Sequence, residues 1–133
     1  MLRILDELSI IDVWERGVPN RERIAIKAVN EVDLSNYLLF LGLPLADQLV
    51  FPLNEHLFWF GKEIVVPPTW VIVYTGPGER KITTMKHTGE PALVLHWGKK
   101  HTVLNDPDVA PVVVGLEGVL VGPRRSYLSL PQK

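Results

Sequence analysis

The sequence contains no cysteine. That absence removes disulfides, thiolate zinc sites, iron–sulfur clusters and cysteine nucleophiles together. Packing and hydrogen bonds alone must hold the fold, and a reducing, cytoplasmic setting is expected. Long apolar runs are missing too, since no segment approaches the roughly 20 residues of a membrane-spanning helix. The first residues, Met1-Leu2-Arg3-Ile4-Leu5-Asp6-Glu7, carry acids too early for a signal peptide. No membrane partner is expected. Neither sign of charge dominates: 14 basic and 15 acidic residues leave a net charge of −1. A dense basic stripe, the usual footprint of a nucleic-acid binder, is absent. The charges do lean, however. Residues 1–79 hold 6 basic and 11 acidic residues, a balance of −5, and residues 80–133 hold 8 basic and 4 acidic, a balance of +4.

Catalytic signatures are equally scarce. The four serines, Ser9, Ser35, Ser126 and Ser129, lie in no Gly-x-Ser-x-Gly elbow. Gly76-Pro77-Gly78 follows a strand-like run but lacks the free N–H groups and following helix of a phosphate loop, because Pro77 has no N–H. Asn105-Asp106-Pro107-Asp108 reads as a turn rather than a calcium loop. No cofactor is expected.

What the chain has is punctuation. Eleven prolines and ten glycines divide its 133 residues, of which 47% are hydrophobic, into short pieces. Proline and glycine interrupt helices and mark turns. The pieces between them are rich in Val, Ile, Leu, Trp and Tyr, which suit strands. Residues 23–29 alternate most clearly, with Ile24, Ile26 and Ala28 on one face and Arg23 and Lys27 on the other. Further strands are expected at residues 11–14, 37–41, 57–60, 70–75, 92–97, 102–104, 112–116 and 119–121. The last two flank Glu117-Gly118, a hairpin signal. Leu2, Leu5 and Leu8 permit a short N-terminal helix, and residues 122–133 read as a tail with a Tyr127-Leu128 anchor.

The expected fold is all-β: one domain over residues 1–133, an antiparallel sandwich of seven to nine short strands. Its core should include Ile24, Ile26, Leu38, Val71, Val73, Leu95, Val113 and Leu120.

Several motifs occur in an order that resembles lamin-tail domains. They are Asp33-Leu34-Ser35-Asn36-Tyr37-Leu38-Leu39, Phe51-Pro52, Ile64-Val65-Val66-Pro67-Pro68, Val71-Ile72-Val73-Tyr74-Thr75-Gly76-Pro77-Gly78, Leu95-His96-Trp97-Gly98, Asn105-Asp106 and Gly118-Val119-Leu120-Val121. The resemblance covers about residues 24–121. It implies an immunoglobulin-like sandwich with attachment roles toward proteins, chromatin or surfaces, and no shared catalytic residues. Residues 53–62 form an extra piece relative to that pattern.

The expected function is a non-catalytic binding or assembly module that mediates protein–protein contact. Leu57-Phe58-Trp59-Phe60 carries the interface, because a strand apolar on both faces needs cover on both sides. Phe58 and Phe60 would face the core, and Leu57 and Trp59 a partner. A homodimer is expected, and cover by residues 2–8 of the same chain is the alternative. Two other classes stay open. A nucleic-acid module would use Trp97, Arg80, Lys81, Lys99 and Lys100. A metal-dependent enzyme would centre on His96 and His101, with His87 or Asp106 as further ligand and no recognised spacing in support.

Overall fold

Ile24, Ile26 and Ala28 point one way from a single extended segment, so that segment must border a core. The computed structural model describes residues 3–46 and 49–124, and among them this segment is the second of ten strands. In chain order these are β1 (Leu8–Trp14), β2 (Arg23–Ala28), β3 (Val32–Asp33), β4 (Tyr37–Ala46), β5 (Leu49–Trp59), β6 (Ile64–Val65), β7 (Trp70–Tyr74), β8 (Lys81–Thr84), β9 (Pro91–His96) and β10 (Ala110–Gly115). A single 3-10 turn, Leu34–Asn36, is closed by the Asp33 carboxylate, which accepts from the Ser35 N–H at 3.0 Å and the Ser35 hydroxyl at 2.7 Å. The fold is all-β, as composition and punctuation require.

The strands form a five-stranded sheet ordered β1-β2-β7-β9-β8, a three-stranded sheet ordered β10-β4-β5, and a small β3-β6 ladder. Both larger sheets give one face to a common core. Ile24, Ile26, Val71, Val73, Leu93 and Leu95 come from the first, and Leu39 and Leu41 from the second, with Phe58 and Val113 packed against them. Central strand β7 is buried on both faces. Its Ile72 joins Ala25 and Val94 in a second, smaller cluster on the other side of the five-stranded sheet.

Proline and glycine sit where the ladders tolerate them. Pro111 lies on β10 and Pro52 on β5, the two edge strands of their sheet. Pro44 falls in central β4, but β10 pairs only as far as Gly42, so Pro44 is beyond its reach. Gly42 marks a bulge against β5, where a Cβ would meet Val50 Cγ1 at 2.3 Å and the Phe51 carbonyl at 2.9 Å.

The structure corrects several expectations. Residues 3–6 form no helix, and the chain enters β1 directly. The five-stranded sheet is not wholly antiparallel: β7 and β9 run parallel, Trp70 opposite Ala92 through Tyr74 opposite His96. β8 occupies the far edge and feeds back into β9 as a hairpin, which is how two neighbours come to share a direction. Residues 102–104 are loop, although Leu104 is fully buried. Beyond Gly115 no hairpin forms among the described residues, and Leu120, expected in the core, is 99% exposed. With no partner strand, residues 119–121 stay in solvent. In β4 the inward face is Leu39 and Leu41, both fully buried, and not Leu38. Residues 53–62 include the second half of β5, so the extra piece is the return arm of a long β4–β5 hairpin. Ile24, Ile26, Val71, Val73 and Leu95 are buried as expected, and Val113 is half-buried. Tyr127-Leu128 lies outside the described residues.

The N-terminal segment is tied down by Glu7. Its carbonyl accepts from the N–H groups of Val29 (2.9 Å) and Asn30 (3.2 Å), and its carboxylate accepts from Arg3 and from the Tyr37 hydroxyl. The hydrogen bonds from Arg3 and then Tyr37 hold the Glu7 carboxyl at about 2, below its ordinary 4.5. Burial, then the bond to Glu7, pushes the Tyr37 phenol up to about 12.

Two outcomes follow. Leu39→Ala lowers unfolding free energy by about 3 kcal/mol and Leu38→Ala by under about 1 kcal/mol, since only the first leaves a core cavity. Urea denaturation of the two variants compares them directly. A carboxyl depressed in the folded state stabilises above its unfolded value and loses that contribution as pH falls. The Glu7 contribution is therefore complete above pH 4.5 and gone near pH 2. Urea midpoints measured down this range fall by the equivalent of about 1 kcal/mol, discounted because Arg3 is exposed, and Tyr37→Phe flattens the decline.

Candidate binding surfaces

Two surfaces carry residues singled out in the sequence, and a third is built by the strand register. The first is the outer face of the three-stranded sheet. Residues opposite one another in an antiparallel ladder share a face. One row is therefore Val114, Leu38 and Trp59, and the next is Val112, Phe40 and Leu57. None of these six belongs to either buried cluster. Leu57 is 60% exposed and Trp59 50%. The Trp59 indole N–H donates to the Ser35 carbonyl at 3.0 Å. Phe58 and Phe60 point the other way. They meet edge to face at 5.7 Å, and Phe58 also meets Trp97 at 5.4 Å. Of the four residues assigned to the interface, two reach solvent and two pack beneath them. Residues 3–5 and 8–10 do not cover Leu57 or Trp59. They line a cavity of about 470 Å³ with Pro111, Val112 and Val113 of β10 and with Val50 at the start of β5.

The second surface is the loop after β9, which carries Trp97, Lys99, Lys100 and His101. Its position depends on Glu22, which is 1% exposed yet fully hydrogen-bonded. Oε1 accepts from the N–H groups of Gly17 (2.9 Å) and Leu104 (3.0 Å), and Oε2 accepts from the Val103 N–H (2.9 Å) and the Thr75 hydroxyl (2.6 Å). Gly17, at φ +74°, adopts the left-handed turn that aims its N–H at the carboxylate. Arg16 takes the opposite role. Its Nη1 donates to the carbonyls of Leu104, Asp106 and Val109 at 3.3, 3.2 and 3.0 Å. Nothing in the sequence distinguished Glu22 or Arg16 from the surface charges beside them.

This loop does not assemble the nucleic-acid residues into one site. Trp97 is partly buried against the core, with Lys99 over its ring at 5.5 Å. Lys99 donates to the Glu55 carbonyl, and Arg80 pairs with Glu63. Lys100 and His101 border a recess of about 230 Å³ with Asn20, Gly76 and Thr102. Lys81 is elsewhere, on edge strand β8. The two histidines part as well: His96 stacks on Tyr74 at 5.1 Å, and His101 is exposed in the loop. Among the described residues no group of three or more His, Cys, Asp or Glu side chains could hold a metal ion.

The third surface went unnoticed in the sequence. The outer face of the five-stranded sheet carries Trp14, Arg23, Tyr74 and His96 side by side on four successive strands, and Lys27 beside Trp70 in a parallel row. The Arg23 guanidinium lies 5.4 Å from both the Trp14 and the Tyr74 ring centres. Lys27 lies 5.0 Å from Trp70 and pairs with Glu90 at 3.3 Å, while the Trp70 indole donates to Glu90 at 3.0 Å. The bond from Trp70 leads the contacts that hold the Glu90 carboxyl below the usual carboxylate range. The strand alternation contained this face, but rows across strands are invisible until register is known.

Comparison with protein-family models, curated proteins and solved structures finds no match for this chain.

Replacing Glu22 with Gln turns an NH2 group toward at least one buried N–H whichever way the amide sits. Glu22→Gln should cost about 3 kcal/mol in urea denaturation. Amide exchange at Val103 and Leu104 should accelerate, which reports the loop directly.

Proposed function

We infer that this chain is an immunoglobulin-like β-sandwich of lamin-tail type that serves as a non-catalytic binding and assembly module, pairing with a second copy of itself. The observation that carries this reading is the outer face of the β10-β4-β5 sheet. A sheet face open to water normally presents polar side chains between the inward ones. Here the rows Val114-Leu38-Trp59 and Val112-Phe40-Leu57 are apolar throughout. A contiguous patch of this kind marks an interaction surface.

A second copy is the occupant because neither row carries a charged side chain to select a different partner. Two such faces related by a two-fold axis are self-complementary, and sheets stack face to face about 10 Å apart. Trp59 is the anchor, its N–H already satisfied by the Ser35 carbonyl. The two inward phenylalanines stiffen the strand from below. The lamin-tail reading is supported by two sheets around one core and by the Asp33-Leu34-Ser35 turn, and the parallel β7–β9 pair departs from a fully antiparallel sandwich. A cytoplasmic setting fits the absence of cysteine, and no helix among the described residues is long and apolar enough to cross a membrane.

Light scattering across a concentration series tests the pairing. The parent chain should reach the dimer mass, and Trp59→Ser should weaken association by about 30-fold or more, the loss of one anchor residue. A strict monomer at high concentration, unchanged by Trp59→Ser, removes the reading.

A further inference from the structure

The outer face of the five-stranded sheet is not flat. It forms a groove of about 750 Å³ whose floor includes Ile72, Tyr74, Ala92 and Val94. Trp14 and Arg23 stand along one side, and Lys81, Thr83, Lys86 and His87 along the other. This surface is separate from the face that the dimer reading uses, and neither conclusion rests on the other.

Two features of the groove select a ligand. The first is charge. Among the described residues, Arg23, Lys81 and Lys86 have no carboxylate within 4.0 Å, as is also true of Arg16, Lys62, Lys99, Lys100 and Arg124; what sets the first three apart is that they line one groove. Glu15 is the one acid lining the groove, and it lies 3.9 Å from Arg21. A chain of net charge −1 thus keeps unpaired cations on both sides of one groove. Unpaired, clustered cations favour an anion. The second feature is the π surface. Arg23 is held between Trp14 and Tyr74, with one N–H spent on the Arg21 carbonyl at 2.7 Å. Its plane is pre-set, and guanidinium planes and aromatic rings both stack nucleic-acid bases. Ile72 and Val94 are only 4% exposed, beneath Trp14, Tyr74 and Met85, so the surface a ligand meets is aromatic and guanidinium, which suits a flat heterocycle better than a bare phosphate chain. A sugar polymer would need carboxylates or amides aimed at its hydroxyls, and here the lining is cationic.

We propose that this groove binds single-stranded nucleic acid, with bases stacked at Trp14 and Arg23 and phosphates met by Lys81 and Lys86. The arrangement replaces the expected grouping of Trp97, Lys99 and Lys100 with one that the sheet register builds. Open strands are favoured over duplex because the bases must lie against the sheet, and paired bases are stacked on each other.

Fluorescence anisotropy of a labelled oligothymidylate, titrated with the intact chain, is the test. Binding should appear at low salt and weaken as salt rises, because phosphate contacts release counterions. Lys81 and Lys86 are exposed and outside the core, so Lys81→Ala with Lys86→Ala keeps the fold. This double variant should lower affinity by about tenfold and reduce the slope of log K against log salt by about 1.4, the share of two single-strand phosphate contacts. Trp14→Leu should lower affinity by about tenfold, the worth of one stacked base, and leave the salt slope unchanged. Any of four results overturns the proposal: no binding at low salt, polyphosphate of equal charge binding as tightly as the oligonucleotide, a neutral oligosaccharide binding in its place, or the double lysine variant binding like the parent.

Discussion

The buried Glu22 carboxylate is the contact on which the end of the molecule beyond β7 and β9 depends. A strand pair satisfies its own backbone. The stretch from residue 98 to residue 109 has no strand to pair with, yet it carries the buried Leu104 and Val109 into the core. Its backbone groups would be costly to bury unpaired. Glu22 supplies acceptors for two of its N–H groups and Arg16 a donor for three of its carbonyls. An anion and a cation from one turn therefore replace the missing strand. Because the same carboxylate also binds Gly17 and Thr75, it ties together the turn before β2, the end of β7 and the long loop.

The two sheets differ in chemistry. Inside, both give aliphatic side chains to one core. Outside, they diverge. The three-stranded sheet shows leucine, valine, phenylalanine and tryptophan; the five-stranded sheet alternates rings with cations over a small apolar cluster. One face is an apolar surface and the other a cationic and aromatic one. The loop of Lys99 and His101 lies between these uses and is itself engaged, with Lys99 spent on the Glu55 carbonyl and on Trp97.

The strands were readable wherever alternation was strong. Ile24, Ile26 and Ala28 against Arg23 and Lys27 identify β2 without ambiguity, because period-two patterning is a local property. The face of β4 was not readable. Tyr37-Leu38-Leu39-Phe40-Leu41 is apolar at every position, so the pattern contains no phase, and Leu39 rather than Leu38 turned out to be buried. β8 escaped for the converse reason: Lys81-Ile82-Thr83-Thr84 is an exposed edge with no buried residue to mark it. Val119-Leu120-Val121 looked like a strand because its residues favour one, but propensity forms no sheet without a neighbour. Glu22 sits between Arg21 and Arg23, and nothing local separates a buried acceptor from a solvated acid.

The sequence by itself determined the all-β class, the absence of thiol chemistry and most strand positions, since composition, proline spacing and two-residue periodicity act over a few residues. Tertiary structure alone decided the parallel β7–β9 pair, the inward side of β4, the burial of Glu22 and the alignment of Trp14, Arg23 and Tyr74 across three strands. Each of these depends on which distant segment lies alongside, and that choice is made by the summed burial of the whole core rather than by any short stretch of chain.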